Sequence, residues 1–569
     1  MPSHTSTDPY QTAMALAEQG RFDQARSALA SIISDEPKHL PARFALAGLL
    51  SEAGELDAAI PHYLVILEQE PEHLESHLAL AGILYRQRRY ANAEGAYQHV
   101  LTLSPNHLDA QLGLSRCQWR LNKQDLALET LRDLIAKKPD ALEAWHLLAQ
   151  LAARSKNWPE TLLACDALLN ANEADDRITL QRGLALAMLK QWQAAESAFQ
   201  SITEQNAENE QAWIGLAASQ AAQAISSPEK LKQARQSSRA ALNARQTGPI
   251  SKNDVVVLRN LGQDHFQLSP HGSFVLQREN NIDDHLDGLP VHEIYLEQLA
   301  AKPKLKQDIA KAGLIINAVS DPERSPDALE KITSLLEQWN KPVINPPDRV
   351  ALCTRDNNHL RLKDLPGLVF PKTTVITPSK LKSSNEGQDF PYILRRVGTH
   401  MGASMARIDN AAQRDEFLAT ADNAPHYLIE YIDNPFRPGV YRRLRIMCVG
   451  GRKIAIGCHY HQHWNVHSSD RGEVMFRLPE LQQEEQRFVS DHPAYLGETG
   501  TQAIDAISQV VGLDYFGIDF DILPDGRLLI FEVNAAMAPN AKVLKDFPYL
   551  KPAFAELRAA VRQLIGKPP

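Results

Sequence analysis

Pro37, Pro71, Pro105 and Pro139 stand 34 residues apart. A proline cannot continue a helical ladder, so each one ends a helix and starts the next. Ala25, Ala59, Ala93 and Ala127 keep the same period twelve residues before each proline, and Ala195 continues it. Ala13, Ala47, Ala81 and Ala149 form a second register, with Gly183 in the next frame. Small residues at these points let paired helices approach closely, and Tyr63, Tyr97 and Phe199 fill the space beside them. Gly20 and Gly54 suit the turns between the helices. A chain of 569 residues exceeds one hydrophobic core, which rarely grows past about 250–300 residues, so at least two domains are expected.

This pattern resembles the tetratricopeptide repeat, a 34-residue helix–turn–helix unit, over residues 6–245 in six to seven repeats. The fifth and sixth units lose the proline but keep the frame, with Trp145 and Trp213 at the aromatic position; extra residues around Ser226-Ser227-Pro228 suit a capping unit. The resemblance implies a solenoid groove that takes a peptide or protein segment, a purely architectural role such as dimerisation being the alternative.

A net charge of −9 argues against a nucleic-acid scaffold built on bulk positive charge. Five cysteines without a C-x-x-C pair give neither a disulfide framework nor a zinc knuckle, and fit a reducing compartment. The N-terminal residues lack a secretory pattern, and no apolar run approaches the ~18–20 residues that span a bilayer. The expectation is a cytoplasmic protein with neither nucleic acid nor membrane as partner.

Past Gly248-Pro249 the periodicity changes. Apolar runs at 254–258, 313–319 and 342–345, with an amphipathic helix over 325–339, predict a parallel α/β layer over 250–348. From 349 to 569 the pattern turns to hairpins: one folds at Gly450-Gly451, another at Pro524-Asp525-Gly526-Arg527. The fold class is therefore multidomain, an all-α solenoid followed by α/β and α+β layers.

The last hairpin carries chemistry. Glu532 and Asn534 share a strand face, and Asp519 on the partner strand can converge with them. Two carboxylates and an amide are hard oxygen donors that suit Mg²⁺; Asp521 is either a second ligand or a neighbour. The Gly-Ile-Asp and Phe-Glu-Val-Asn strands resemble the ATP-grasp superfamily, over about residues 250–565. They are closest to the glutathione-synthetase and ribosomal-protein glutamate-ligase type, and closer still to bacterial proteins that place tetratricopeptide repeats before such a domain.

The resemblance implies an ATP-dependent ligase that joins a carboxylate to an amine through an acylphosphate, with ATP and Mg²⁺. Arg355 and Arg395 stand where the family has nucleotide-binding lysines and would grip phosphate with a forked guanidinium. Gly398 and Gly402 would lie in the loop over the phosphates, and Glu430, Tyr431 and Ile432 in the adenine hinge. Arg445 belongs to an Asp-x-Arg segment, in which Arg443 replaces the acid, and would stabilise the acylphosphate. Asn465, His467 and Arg471 resemble the acceptor-side segment of the glutamate-ligase group, and a small amino acid or amine would be the co-substrate. His459, His461 and His463 allow a metal comb on one strand face as a lesser reading, and His400 could touch phosphate. Two rivals keep the same residues: phosphate transfer to a non-carboxylate acceptor, and a repeat scaffold that only senses ATP.

Overall fold

The computed structural model describes residues 8–173, 175–224, 227–276, 278–384, 386–399, 404–466 and 471–566. The chain forms two compact units, Met1–Leu231 with Gln267–Phe274, and Lys232–Phe266 with Val275–Pro569. This division falls inside a helix, Pro228–Ala244, and not at residue 245, where the end of the repeats was expected. It also returns eight residues of the second half to the first unit.

Thirteen helices, from Pro9–Glu18 to Glu210–Gln223, make up most of the first unit among the described residues. Each packs on the next, because the small residues of the two registers are buried: Ala25, Ala59, Ala93, Ala127 and Ala195 are all fully covered. The aromatic residues take the space that small neighbours leave. A Cβ added to Gly113 would lie 2.3 Å from the Tyr97 ring, and one added to Gly215 would lie 2.4 Å from the Phe199 ring.

The helix ends repeat as well. The carbonyl of each proline is held by the side chain six residues on: Arg43 Nε donates to Pro37 (2.7 Å), Gln111 Nε2 to Pro105 (3.1 Å) and Trp145 Nε1 to Pro139 (2.9 Å), while His77 Nε2 lies 2.8 Å from the Pro71 oxygen. Trp213 does the same for Ala207, at 2.9 Å. Within each helix pair the turn is left-handed at one position: Gly20, Gly54, Arg88, Asn122, Lys156 and Lys190 all have φ between 60° and 85°.

The second unit begins with an all-parallel sheet in the order β4-β1-β5-β6, from β1 (Val255–Arg259), β4 (Val291–Tyr295), β5 (Leu314–Asn317) and β6 (Val343–Ile344). Both faces of β1 are buried, which is why its sequence is an unbroken apolar run. The helix Pro326–Trp339 lays Ala328, Leu329 and Ile332 into this core, on the face expected for it. A short separate ribbon, β2 (Phe266–Leu268) with β3 (Phe274–Leu276), lies between β1 and β4 in the chain, and most of it belongs to the first unit.

Two further sheets follow. The first is antiparallel, ordered β10-β9-β11-β8, from β8 (Thr373–Ile376), β9 (Tyr392–Arg396), β10 (Met405–Ile408) and β11 (His426–Glu430). The other is ordered β13-β12-β14-β15-β7, from β7 (Leu368–Val369), β12 (Tyr441–Val449), β13 (Arg452–His461), β14 (Tyr515–Ile522) and β15 (Leu528–Asn534). Its hairpins turn at Gly450-Gly451 and at Gly526, all with positive φ, as their sequences predict. On β14, Phe516, Ile518 and Phe520 enter the main core, which leaves Tyr515, Gly517, Asp519 and Asp521 to the other face. Among the described residues no helix is long and apolar enough to cross a membrane.

Candidate functional site

A cavity of about 230 Å³ opens within the second unit. The antiparallel sheet and the five-stranded sheet both line it: Thr373, Ile393, Arg395, Met405 and Ile429 come from the first, and Arg442, Arg443 and Leu529–Asn534 from the second. The segment Ser320–Glu323, just beyond the carboxyl end of β5, closes one wall. That is the end of a parallel strand at which α/β sheets collect ligands.

Strand register builds the floor from Glu532 and Asn534 and sets Arg445 and Asp519, which do not themselves line the cavity, beside them. Arg445 on β12 pairs with Asp519 on β14, and Asp519 pairs with Glu532 on β15, so the three side chains form one lateral row. Gly517 pairs with Asn534 in the next row. Arg445 grips Asp519 with both arms, Nε and Nη2, at 2.7 and 2.8 Å. Asp519 is fully buried, and its two oxygens are committed to this fork. Of the three residues expected to hold a cation, it is therefore the counter-charge of Arg445.

Glu532 and Asn534 remain together: Asn534 Nδ2 donates to Glu532 Oε1 at 2.6 Å, and Asn534 Oδ1 is buried without a partner among the described residues. An unpartnered amide oxygen beside a carboxylate fits a Mg²⁺ ion that draws its other ligands from phosphate and water. Asp521 is a neighbour and not a second ligand, since Arg442 holds it at 2.6 Å and Asn434 Nδ2 donates to it at 2.9 Å.

Arginines surround this floor. Arg355 opens the helix Arg355–Leu362 and binds Glu532 at 2.5 Å. Burial works against its charge, but Glu532 and Glu323 more than offset this and raise its pKa. Arg395, on β9, is nearly buried, and among the described residues no carboxylate lies within ion-pair distance of it. Burial, with Arg355 beside it, pushes its pKa down to about 10. Arg443 is lowered too, by burial first and then by Arg445. Four guanidinium groups line the cavity, those of Arg355, Arg395, Arg442 and Arg443: Arg355 is paired with Glu532, Arg442 with Asp521, and Arg443 stands 3.5 Å from Asp519, so Arg395 is the one left without a carboxylate in ion-pair range among the described residues.

Glu430, Tyr431 and Ile432, expected to form an adenine hinge, line the cavity at the end of β11, as does Asn465. Glu430 accepts from the Lys372 amide at 3.0 Å. Tyr431 lies under Arg407, 4.7 Å from the ring centroid, and donates to Asp433 at 2.7 Å. The Gly398 amide, expected to face phosphate, donates instead to Glu323 Oε2 at 2.9 Å. Gly402, His400 and His467 lie outside the described residues. Arg471 turns away from the cavity to a buried ion pair with Glu485, its guanidinium 4.5 Å from the Phe547 ring centroid.

Among the described residues, which leave out His467, the histidines do not form a metal comb. Strand β13 ends at His461, the His463 amide donates to His461 Nδ1 at 3.0 Å, and His459 is buried apart from them. Among the described residues no three His, Cys, Asp or Glu side chains are grouped to hold a metal ion.

Two contributors were not anticipated from sequence. Glu323 joins the Gly398 loop to Tyr427, whose hydroxyl donates to it at 2.7 Å. Glu279 receives the amides of Ser320 (2.6 Å) and Asp321 (3.0 Å) and so fixes the wall on which Glu323 stands. The only available signal was the placement of Ser320–Glu323 after a parallel strand.

Comparison with known proteins bears on the first unit. A family model described as tetratricopeptide repeat matches residues 16–83 and 84–151. The N-terminal region carries tetratricopeptide repeats. Solved structures similar to it include a tetratricopeptide repeat protein from Parabacteroides merdae, at 18% identity, covering 37% of this chain and 81% of that one, with a TM-score of 0.29. PilF of Pseudomonas aeruginosa is 18% identical over 35% of this chain and 90% of its own, with a TM-score of 0.30. TTC0263, a thermophilic repeat protein of Thermus thermophilus, is 20% identical over 32% and 97%, with a TM-score of 0.26. No curated protein matches the chain. Tetratricopeptide repeats generally bind protein or peptide segments.

Proposed function

We propose that the second unit is an ATP-dependent carboxylate–amine ligase of the ATP-grasp kind, and that the repeats recruit a peptide or protein that is its substrate or carries it. The observation that supports this reading best is the cavity between two sheets, where four arginines meet Glu532 and Asn534. Arg395, without a carboxylate in ion-pair range among the described residues, and Arg355 beside it suit a ligand with several negative charges, as a nucleoside triphosphate is. The apolar Ile393, Met405, Ile429 and Leu529 suit the flat face of a base.

In this reading Arg355 and Arg395 hold phosphate oxygens, which requires Arg355 to exchange Glu532 for them. Glu532 would then join Asn534 around Mg²⁺. That ion, when bound, neutralises charge on the transferring phosphoryl group. An oxygen of the acceptor carboxylate attacks the γ-phosphorus and ADP leaves. The amine nitrogen then attacks the acyl carbon, phosphate leaves, and the nitrogen loses a proton. Arg445, held by Asp519 just behind the lining residues, would stabilise the charge that builds on the acylphosphate. Asn465, at the cavity edge, meets the acceptor. Cys117, Cys165, Cys353, Cys448 and Cys458 are all buried and unpaired, which supports work in a reducing, cytoplasmic setting.

Calorimetry with Mg-ATP tests nucleotide binding, and Arg395→Gln is expected to weaken it at least about tenfold. Incubation with Mg-ATP, amino acids and a peptide library is expected to release ADP with a mass gain on the peptide, and hydroxylamine is expected to trap the acyl group. Absence of binding at millimolar ATP would overturn the reading. Binding without ADP release would favour an ATP-sensing scaffold.

A further inference from the structure

The third, fourth and fifth repeats each end their first helix in arginine: Arg86 closes Leu74–Arg86, Arg120 closes Leu108–Arg120 and Arg154 closes Leu142–Arg154. The turns that follow add Arg88 and Arg89, then Lys123, then Lys156, and all seven residues are exposed. These three helices pack on one another in succession, so their ends stack along one edge of the array. Packed helices lie about 8–10 Å apart. That is close to the Debye length of about 8 Å at physiological salt, so the fields of neighbouring groups add.

Little within the chain answers this charge. Lys123 pairs with Glu94 at 2.8 Å, and Arg86 donates to the Ser51 carbonyl at 2.7 Å. Arg88, Arg89, Arg120, Arg154 and Lys156 make no ion pair among the described residues. A cation in the last turn of a helix offsets the helix dipole, which accounts for the arginines that close the helices. It does not account for the turns. Arg88 and Lys156 are left-handed, with φ of 61° and 60°, at the position that Gly20 and Gly54 hold in the first two repeats. Glycine takes this conformation without the steric cost. Cations thus stand where glycine is the more stable residue, which points to a role other than stability.

The sign of the edge runs against its surroundings. Residues 1–231 carry 29 carboxylate side chains against 19 lysines and arginines, and Glu18, Glu52 and Glu55 take the corresponding places in the first two repeats. A long polyanion or a flat anionic surface would meet those acids, whereas a short acidic segment fits three repeats alone. An extended chain advances about 3.3 Å per residue, so roughly eight residues span the edge.

We propose that this edge docks a short acidic polypeptide segment of the protein that the repeats recruit. The inference deepens the recruitment reading and does not depend on the ligase reading.

Fluorescence anisotropy of labelled octaglutamate on the full chain tests it. Octaglutamate is expected to bind the parent protein at low salt and to lose at least about tenfold in affinity at about 0.5 M NaCl. Arg88→Gly combined with Lys156→Gly is expected to weaken binding about three- to tenfold. The thermal midpoint of this variant is expected to hold or rise, which separates the loss from misfolding. Adding Arg120→Gln is expected to take the loss past about tenfold, while Lys38→Gln, outside the edge, leaves binding unchanged. Absence of binding at low salt overturns the edge, and so does equal binding by the parent and the triple variant. An octathymidylate or a phosphatidylserine vesicle that binds more tightly than octaglutamate, and is weakened by the same substitutions, also overturns it in favour of nucleic acid or membrane. Library peptides modified by a protein that does not bind octaglutamate overturn the edge and keep the recruitment reading. Octaglutamate binding of the expected pattern in a protein that releases no ADP upholds the edge and overturns the ligase reading instead.

Discussion

Asp519 has no solvent exposure, and its partner Arg445 approaches with two hydrogen bonds. Removing one member of such a pair strands the other, at about 3–5 kcal/mol. Asp519→Asn is therefore expected to lower the stability of the second unit by about 3 kcal/mol, read as a shift of its urea midpoint. The Arg355–Glu532 pair is partly exposed, and Glu532→Gln is expected to cost less in stability while abolishing turnover. The sequence showed that Asp519, Glu532 and Asn534 share a face, because strand alternation is local. It did not show which of them keeps a free oxygen. That depends on Arg445 lying opposite Asp519, a register between strands some seventy residues apart in the chain. Glu323 was invisible for the same reason: its partners Gly398 and Tyr427 come from another sheet.

The repeats were legible because their contacts are local and their period is regular. Even so, the turn was only half read. Gly20 and Gly54 announce a left-handed residue, whereas Arg88, Asn122, Lys156 and Lys190 adopt the same conformation with no such sign. The flanking helices impose it, since helix ends must be spanned in one residue whatever the side chain. A left-handed conformation costs a non-glycine residue roughly 1–2 kcal/mol, offset in part by the extra chain entropy that glycine loses. Gly54→Ala is therefore expected to destabilise the array by about 1 kcal/mol, and Lys156→Gly to stabilise it by up to about 1 kcal/mol. Opposite shifts in the thermal midpoint check both. The capture of a carbonyl six residues back shows the same latitude: Arg43, His77, Gln111, Trp145 and Trp213 are unrelated in type but alike in carrying a nitrogen donor at the right reach.

At the scale of the molecule, length alone demanded more than one domain, and the periodicity changes near residue 248, whereas the compact units divide after Leu231. What it missed is that the chain re-enters the first unit. Gln267–Phe274 belongs with the repeats, and Phe274 sets its ring edge-on to Phe199, with centroids 6.1 Å apart. Phe274 is only partly buried, so Phe274→Ala is expected to cost about 1–2 kcal/mol, less than the ~3–5 of a fully buried phenylalanine. Hydrogen exchange in the helix Trp192–Gln205 is expected to report it. The re-entry also sets a timetable for synthesis. At roughly 5–20 residues per second, Phe274 is made about 4–15 seconds after Phe199, and the first strand of the following sheet leaves the ribosome in between. The solenoid is thus completed only after the next unit has begun to emerge, which makes the newborn array the stage at which a chaperone or a binding peptide would find it open.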